Sequence, residues 1–129
     1  MINILIVDDS HLARKRAIQT IGQFDIEHNI VAQATNGLEA LQAYNEFHID
    51  LIITDLEMPT MDGLELIKEI RQINNFINIL VVSSIASQKI KQTLKSDRYI
   101  DFVKKPLNNK VLEILLLKLE HRLAQGTDT

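Results

Sequence analysis

Ile2-Asn3-Ile4-Leu5-Ile6-Val7-Asp8-Asp9-Ser10 is the stretch on which the fold turns. Its apolar run is nearly continuous and breaks abruptly on two carboxylates. A strand with one wet face alternates apolar and polar residues, whereas an unbroken Ile/Val/Leu run suits a strand covered on both faces of a parallel sheet. The pattern recurs along the chain. After the run at 2–7 come runs at 30–34, 51–54, 79–82 and, more weakly, 102–103. Between and after them lie segments with helical spacing, at 10–24, 37–47, 63–73, 86–95 and 108–123. In the third of these Leu64, Ile67, Ile70 and Arg71 fall along one side, with Glu65, Lys68, Glu69 and Gln72 elsewhere. Five alternations of strand and helix predict an open α/β sheet with helices on both faces and right-handed crossovers.

The 129 residues suffice for one domain and one self-supporting core. We expect a domain over 1–123 and a flexible tail over 124–129. Lys and Arg number 14 against 17 Asp and Glu, a net charge of −3, which argues against the DNA backbone as a direct partner. The absence of cysteine excludes disulfides and thiolate chemistry. No apolar run approaches the roughly 20 residues of a membrane helix, and the first residues lack a basic signal-peptide region. A cytoplasmic location without membrane contact is the expectation.

In open parallel sheets ligands bind beyond the carboxyl ends of the strands, near the topological switch point. Asp8 and Asp9 follow the first run, Asp55 the third, Ser83 and Ser84 the fourth, and Lys104, Lys105 and Pro106 the fifth. Three carboxylates brought together need a counter-charge, and a hard divalent cation with oxygen ligands supplies it. A carboxylate beside Mg²⁺ can act as a nucleophile toward phosphorus, while a lysine and a hydroxyl stabilise the transferring phosphoryl group. Each residue alone has a bland explanation: an acidic pair at a helix start, an Asp in a turn, a solvated lysine. Their joint placement at strand ends favours the chemical one.

Val7-Asp8-Asp9-Ser10, Asp55-Leu56-Glu57-Met58-Pro59-Thr60-Met61-Asp62-Gly63, Val82-Ser83-Ser84 and Lys105-Pro106 together resemble the receiver domains of two-component response regulators, from Ile4 to about Leu123. The resemblance implies a flavodoxin-like, five-stranded parallel sheet of order 2-1-3-4-5. It implies a module that accepts a phosphoryl group from a sensor histidine kinase on Asp55 and then switches partner binding. Asp8, Asp9 and Asp55, with the Glu57 backbone carbonyl, correspond to the Mg²⁺ site. Ser83 and Lys105 correspond to the groups that contact the phosphoryl, and Ser83 and Phe102 to the switch pair. A cis Lys105–Pro106 bond is implied as well. Such a domain is not a turnover enzyme, beyond self-phosphorylation from phosphodonors and slow autodephosphorylation.

The chain departs from the pattern at Ser84, where a smaller residue is usual, and at Ser96-Asp97-Arg98-Tyr99, where a glycine commonly closes the fourth helix. Glu57 and Ile85 flank the site at variable positions. His11 lies near the acidic pair, but the four histidines have no metal-site spacing. A haloacid-dehalogenase-type phosphatase also uses an Asp nucleophile and Mg²⁺, but needs D-x-D-x-T where this chain has Asp55-Leu56-Glu57-Met58-Pro59. A flavin-binding carrier lacks its phosphate loop here. In the last helix Leu112, Leu115, Leu116 and Leu119 are expected to face the sheet, with Ile114 and Leu117 on the other side. With Lys89, Lys91 and Lys95 on the fourth helix, the surface of the last two helices and last strand is the expected site for an effector or homodimer.

Overall fold

The computed structural model describes residues 1–84, 87–107 and 109–125. The elements run β1 (Ile2–Val7), α1 (His11–Gly22), β2 (His28–Ala34), α2 (Gly37–Glu46), β3 (Leu51–Thr54), α3 (Gly63–Ile73), β4 (Asn78–Ser83), α4 (Gln88–Lys95), β5 (Ile100–Lys104) and α5 (Asn109–Gln125). All neighbouring strands pair in parallel, in the order β2-β1-β3-β4-β5. This is the expected flavodoxin-like sheet.

The near-continuous apolar runs have a direct physical origin. Ile4, Ile6, Ile53, Leu80 and Val82 point into one core, where Ala17, Ile21, Leu112 and Leu116 meet them from α1 and α5. The alternate residues Leu5, Val7, Ile52, Ile79 and Val81 point into a second core with Ala40, Leu66, Ile70 and Leu94. Both faces of the central strands are therefore dry. The edge strands differ: Asp101 and Lys104 are exposed on β5, as are Asn29 and Gln33 on β2. Polar interruptions of this kind make β5 a faint signal in the sequence, and both edge strands begin two residues before their apolar runs.

Local chemistry starts each helix. Ser10, Asn36, Asp62 and Ser87 cap α1 to α4 by accepting from a backbone amide three residues on. Asp62 and Glu65 form a reciprocal capping box. In the turn before α2, Glu39 accepts from the Thr35 hydroxyl and amide at 2.6 and 2.7 Å, and these bonds hold its carboxyl below the ordinary value. The expected helix starts at Ala86 and Asn108, the flanking residue Ile85 and positions 126–129 of the expected tail lie outside the described residues. Ala124 and Gln125, expected in the tail over 124–129, instead continue α5, so the helix outruns the expected boundary at 123 by two residues. The end of α4 closes without glycine. Ser96 stays right-handed helical, the Asp97 amide donates to the Leu94 carbonyl at 3.0 Å, and the Asp97 carboxylate takes Arg71 Nε at 2.6 Å and the Tyr99 amide at 2.9 Å. On α5, Leu112, Leu115, Leu116 and Leu119 are buried while Ile114 and Leu117 are about half exposed, the expected division of faces. Among the described residues no helix is long and apolar enough to cross a membrane.

One glycine governs how α3 meets the end of β3. The Gly63 amide donates to the Leu56 carbonyl at 2.9 Å, and a Cβ at Gly63 would overlap the Asp55 carbonyl oxygen and lie 2.8 Å from Leu56 Cα. Backbone atoms in a buried turn have little room to yield. We expect Gly63→Ala to cost about 1–3 kcal/mol. Gly22→Ala, where nothing lies within 4 Å, should instead add about 0.5–1 kcal/mol. Urea denaturation of the two variants reads these opposite signs.

Candidate functional site

Strand register alone brings the acidic residues together. Val7 pairs with Thr54, so the next residues, Asp8 and Asp55, leave adjacent strands side by side at the switch point. The Asp8 amide donates to Ala34 O and the Asp55 amide to Val7 O, both at 3.0 Å, which extends the ladder by one step. On the other side Ser83 pairs with Lys104, and the Lys105 amide donates to Ser83 O at 3.0 Å. The Lys105–Pro106 peptide is cis, as the resemblance implied.

The Lys105 ammonium donates to Asp8 Oδ2 at 2.9 Å and to Asp55 Oδ2 at 3.0 Å. The opposite oxygens rest on backbone amides. Asp8 Oδ1 accepts from Ser10 at 2.9 Å, and Asp55 Oδ1 from Leu56 at 2.7 Å and, more weakly, from Glu57 at 3.4 Å. Partial burial works against the charge on Lys105, but the hydrogen bonds and charges of Asp8 and Asp55 outweigh it and raise its pKa above the usual lysine value. The stabilisation from this shift is therefore complete below the ordinary lysine pKa, physiological pH included, and fades as pH rises through the raised one.

Asp8 and Asp55 are buried and Asp9 is exposed, and one oxygen from each of the three carboxylates lies within 4.8 Å of the others. Counted as ionised, three carboxylates against one ammonium leave two negative charges uncompensated. An all-oxygen donor set with that charge fits a hard divalent cation. An open hollow bounded by Asp9, Leu56, Glu57, Met58 and Pro59 gives access from solvent.

The remaining expected residues sit around this cluster. Ser83 is buried, with its backbone tied to Lys105. Phe102 pairs with Val81, two residues before Ser83, so Phe102 and Ser83 occupy the same face of the sheet. The Phe102 ring is half-buried, with the Lys91 ammonium 5.6 Å from its centroid. Glu57 has an exposed side chain and enters the site through its amide. His11 stands outside the cluster, with Nδ1 3.4 Å from the Arg14 guanidinium. Arg14 itself was not legible as a site residue. It donates to the Asp8 carbonyl at 2.7 Å, and the available signal was a long cationic side chain one turn past a helix cap, able to fold back toward the N-terminus.

The balance of charge has a measurable consequence in chelator. Removing the ammonium by Lys105→Met takes a hydrogen-bond partner from two buried carboxylates and, because Lys105 is partly exposed, should lower stability by about 1–3 kcal/mol. Asp9→Asn removes an unpaired charge and should raise stability by about 0.5 kcal/mol. Denaturant midpoints of the two variants are expected on opposite sides of the wild type.

The comparisons with known proteins agree with this geometry. The response regulator receiver domain model matches residues 4–116. The chain is 34% identical over 116 residues to the chemotaxis protein CheY of Listeria monocytogenes, covering 89% of this chain and 96% of that protein. It is 35% identical over 119 residues to a protein-glutamate methylesterase/protein-glutamine glutaminase of Syntrophomonas wolfei, covering 91% of this chain but 33% of the relative, so it spans about a third of the methylesterase's length. A chain of the CheX-CheY-BeF3-Mg²⁺ complex from Borrelia burgdorferi superposes with a TM-score of 0.80 at 27% identity, covering 91% of this chain and 88% of the other. With its fold, strand-end cluster and matched sequence in agreement, the chain belongs to the response regulator receiver domain family.

Proposed function

We propose that Asp55 accepts a phosphoryl group from the phosphohistidine of a sensor kinase and that the new charge switches binding of a protein partner. The observation that carries this reading is the Lys105 ammonium shared between Asp8 and Asp55, with Asp9 alongside. An Asp55 oxygen attacks phosphorus. The P–N bond breaks as the O–P bond forms, and the imidazole leaves with the electron pair and takes up a proton from water. When bound by Asp8, Asp9, Asp55 and the Glu57 backbone carbonyl, Mg²⁺ supplies positive charge that offsets the carboxylates and the phosphoryl oxygens. Lys105 stays cationic and pairs with the phosphoryl group, and Ser83 donates its hydroxyl to it. Movement of Ser83 opens space into which Phe102 turns. In this reading the chain through the end of α5 at Gln125 forms a cytoplasmic signalling module, not a turnover enzyme.

The partner surface proposed is α4, β5 and α5. Ile114 and Leu117 are exposed on α5, and Lys91, Lys95 and Lys104 line a groove with Phe102 between α4 and β5. Apolar anchors rimmed by positive charge suit an effector with an acidic edge, or a second copy of the domain. Neither the membrane nor nucleic acid is a direct partner in this reading.

Intact mass after incubation with Mg²⁺ and acetyl phosphate should rise by one phosphoryl group in the wild type and not in Asp55→Asn, and chelator should abolish the gain. Full labelling of the Asn variant would overturn the assignment. For the switch, amide spectra of phosphorylated Ser83→Ala should stay near the unphosphorylated pattern around Phe102, whereas the wild type shifts. A wild-type response in the variant would break the coupling. Replacing Ile114 with Ser and Leu117 with Lys should leave the fold intact and weaken phosphorylation-dependent self-association or effector capture at least tenfold, each buried side chain contributing about 1.5–3 kcal/mol at most. Light scattering and pull-down in both phosphorylation states check this.

A further inference from the structure

The main-chain ladder runs out just past β1, and the Asp8 carbonyl is the acceptor left at that point. Arg14 takes it. Its guanidinium donates to Asp8 O at 2.7 Å and, through Nε, to Gln33 Oε1 on β2 at 3.0 Å, with its other nitrogen 3.4 Å from His11 Nδ1. One planar group thus joins the β1–α1 turn, the first turn of α1 and the end of β2. The same turn is fixed at the Asp8 amide by Ala34 O at 3.0 Å and at Ser10 O by the Arg14 amide at 3.1 Å. Among the described residues the exposed Asp9 makes no hydrogen bond of its own. Its position follows from the fixed points on either side of it.

We propose that Arg14 is a positioning residue for the acidic cluster, clamping the Asp8 carbonyl so that the Asp8 and Asp9 carboxylates converge on a divalent cation with Asp55. This inference rests on the cation-binding reading above. The sign of the effect separates it from simple electrostatics. A cation beside an acidic site repels a second cation, so deleting the Arg14 charge without any positioning role would tighten Mg²⁺ binding. Loss of positioning weakens it. Gln33→Ala changes no charge and removes one anchor of the guanidinium.

The experiment is calorimetric titration of Mg²⁺ into the wild type, Arg14→Met, Arg14→Lys and Gln33→Ala, with circular dichroism to verify folding. Arg14→Met should bind Mg²⁺ about tenfold more weakly. Arg14→Lys, which can reach the carbonyl with one donor, should recover part of the loss, and Gln33→Ala should show a smaller loss of the same sign. Unchanged or tighter binding in folded Arg14→Met overturns the proposal. Should Arg14→Met fail to fold, unchanged binding in Gln33→Ala overturns it instead. A wild type that does not bind Mg²⁺ overturns the cation-binding reading and this inference with it, whereas wild-type binding that no variant alters removes this inference alone.

Discussion

Holding several carboxylates together at one edge of a sheet is the constraint on which the rest of the structure depends. Adjacent strands run about 4.8 Å apart, so residues that follow parallel, in-register neighbours cannot avoid each other. Asp8 and Asp55 are in that position because Val7 pairs with Thr54. Two like charges 4 Å apart at an effective dielectric of 20 repel by about 4 kcal/mol. The fold meets this repulsion with the Lys105 ammonium on one side and backbone amides on the other, and leaves Asp9 exposed to water. The two apolar cores hold the strands in register beneath the cluster, so their packing sets where the carboxylates sit.

The sequence shows this arrangement unevenly. The three central strands are buried on both faces, so the runs at 2–7, 51–54 and 79–82 stand out as apolar, and the residues after them fall at the carboxyl edge without further information. Asp8, Asp55 and Ser83 were legible for that reason. The edge strand β5 was harder, because Asp101 and Lys104 face solvent and leave only part of its pattern apolar. Lys105 was recognisable through its pairing with Pro106, a motif of the family and not a property of periodicity. The closure of α4 was not legible. It depends on Asp97 meeting Arg71, 26 residues away, and sequence spacing does not report such a contact. The same holds for Arg14 and Gln33, 19 residues apart.

Thr60 is a further case. It adopts the left-handed region, with φ at 70°, between Pro59 and Met61. A β-branched residue is strained there, by roughly 1–2 kcal/mol. The surroundings impose it. The Met61 amide donates to Pro59 O and the Met61 carbonyl accepts from the Gly37 amide, both at 2.8 Å, so the turn is tied to the start of α2. Gly37 allows that approach, since a Cβ there would lie 2.9 Å from the Met61 carbonyl oxygen. The loop that carries Asp55 and Glu57 is therefore anchored at its far end by α2 as well as by α3.

These anchors fix one side of the site. Toward α1, α2 and β2, the Asp8 turn and the loop after Asp55 are fixed by Arg14, Ala34, Gly37 and Gly63. The described part of α4 is more thinly packed. That helix has eight residues, a length that is marginal without tertiary support, and among its described residues Leu94 alone is buried, with Ile90 half-buried beside it. Segments with few buried apolar contacts open at the least free energy. In the proposed switch, a change of charge at Asp55 would meet resistance at the fixed Asp8 turn, and Ser83 with the Phe102 ring that Lys91 covers is the proposed route toward α4. On the proposed switch, the thinner burial of α4 favours relief on its side before any partner is bound.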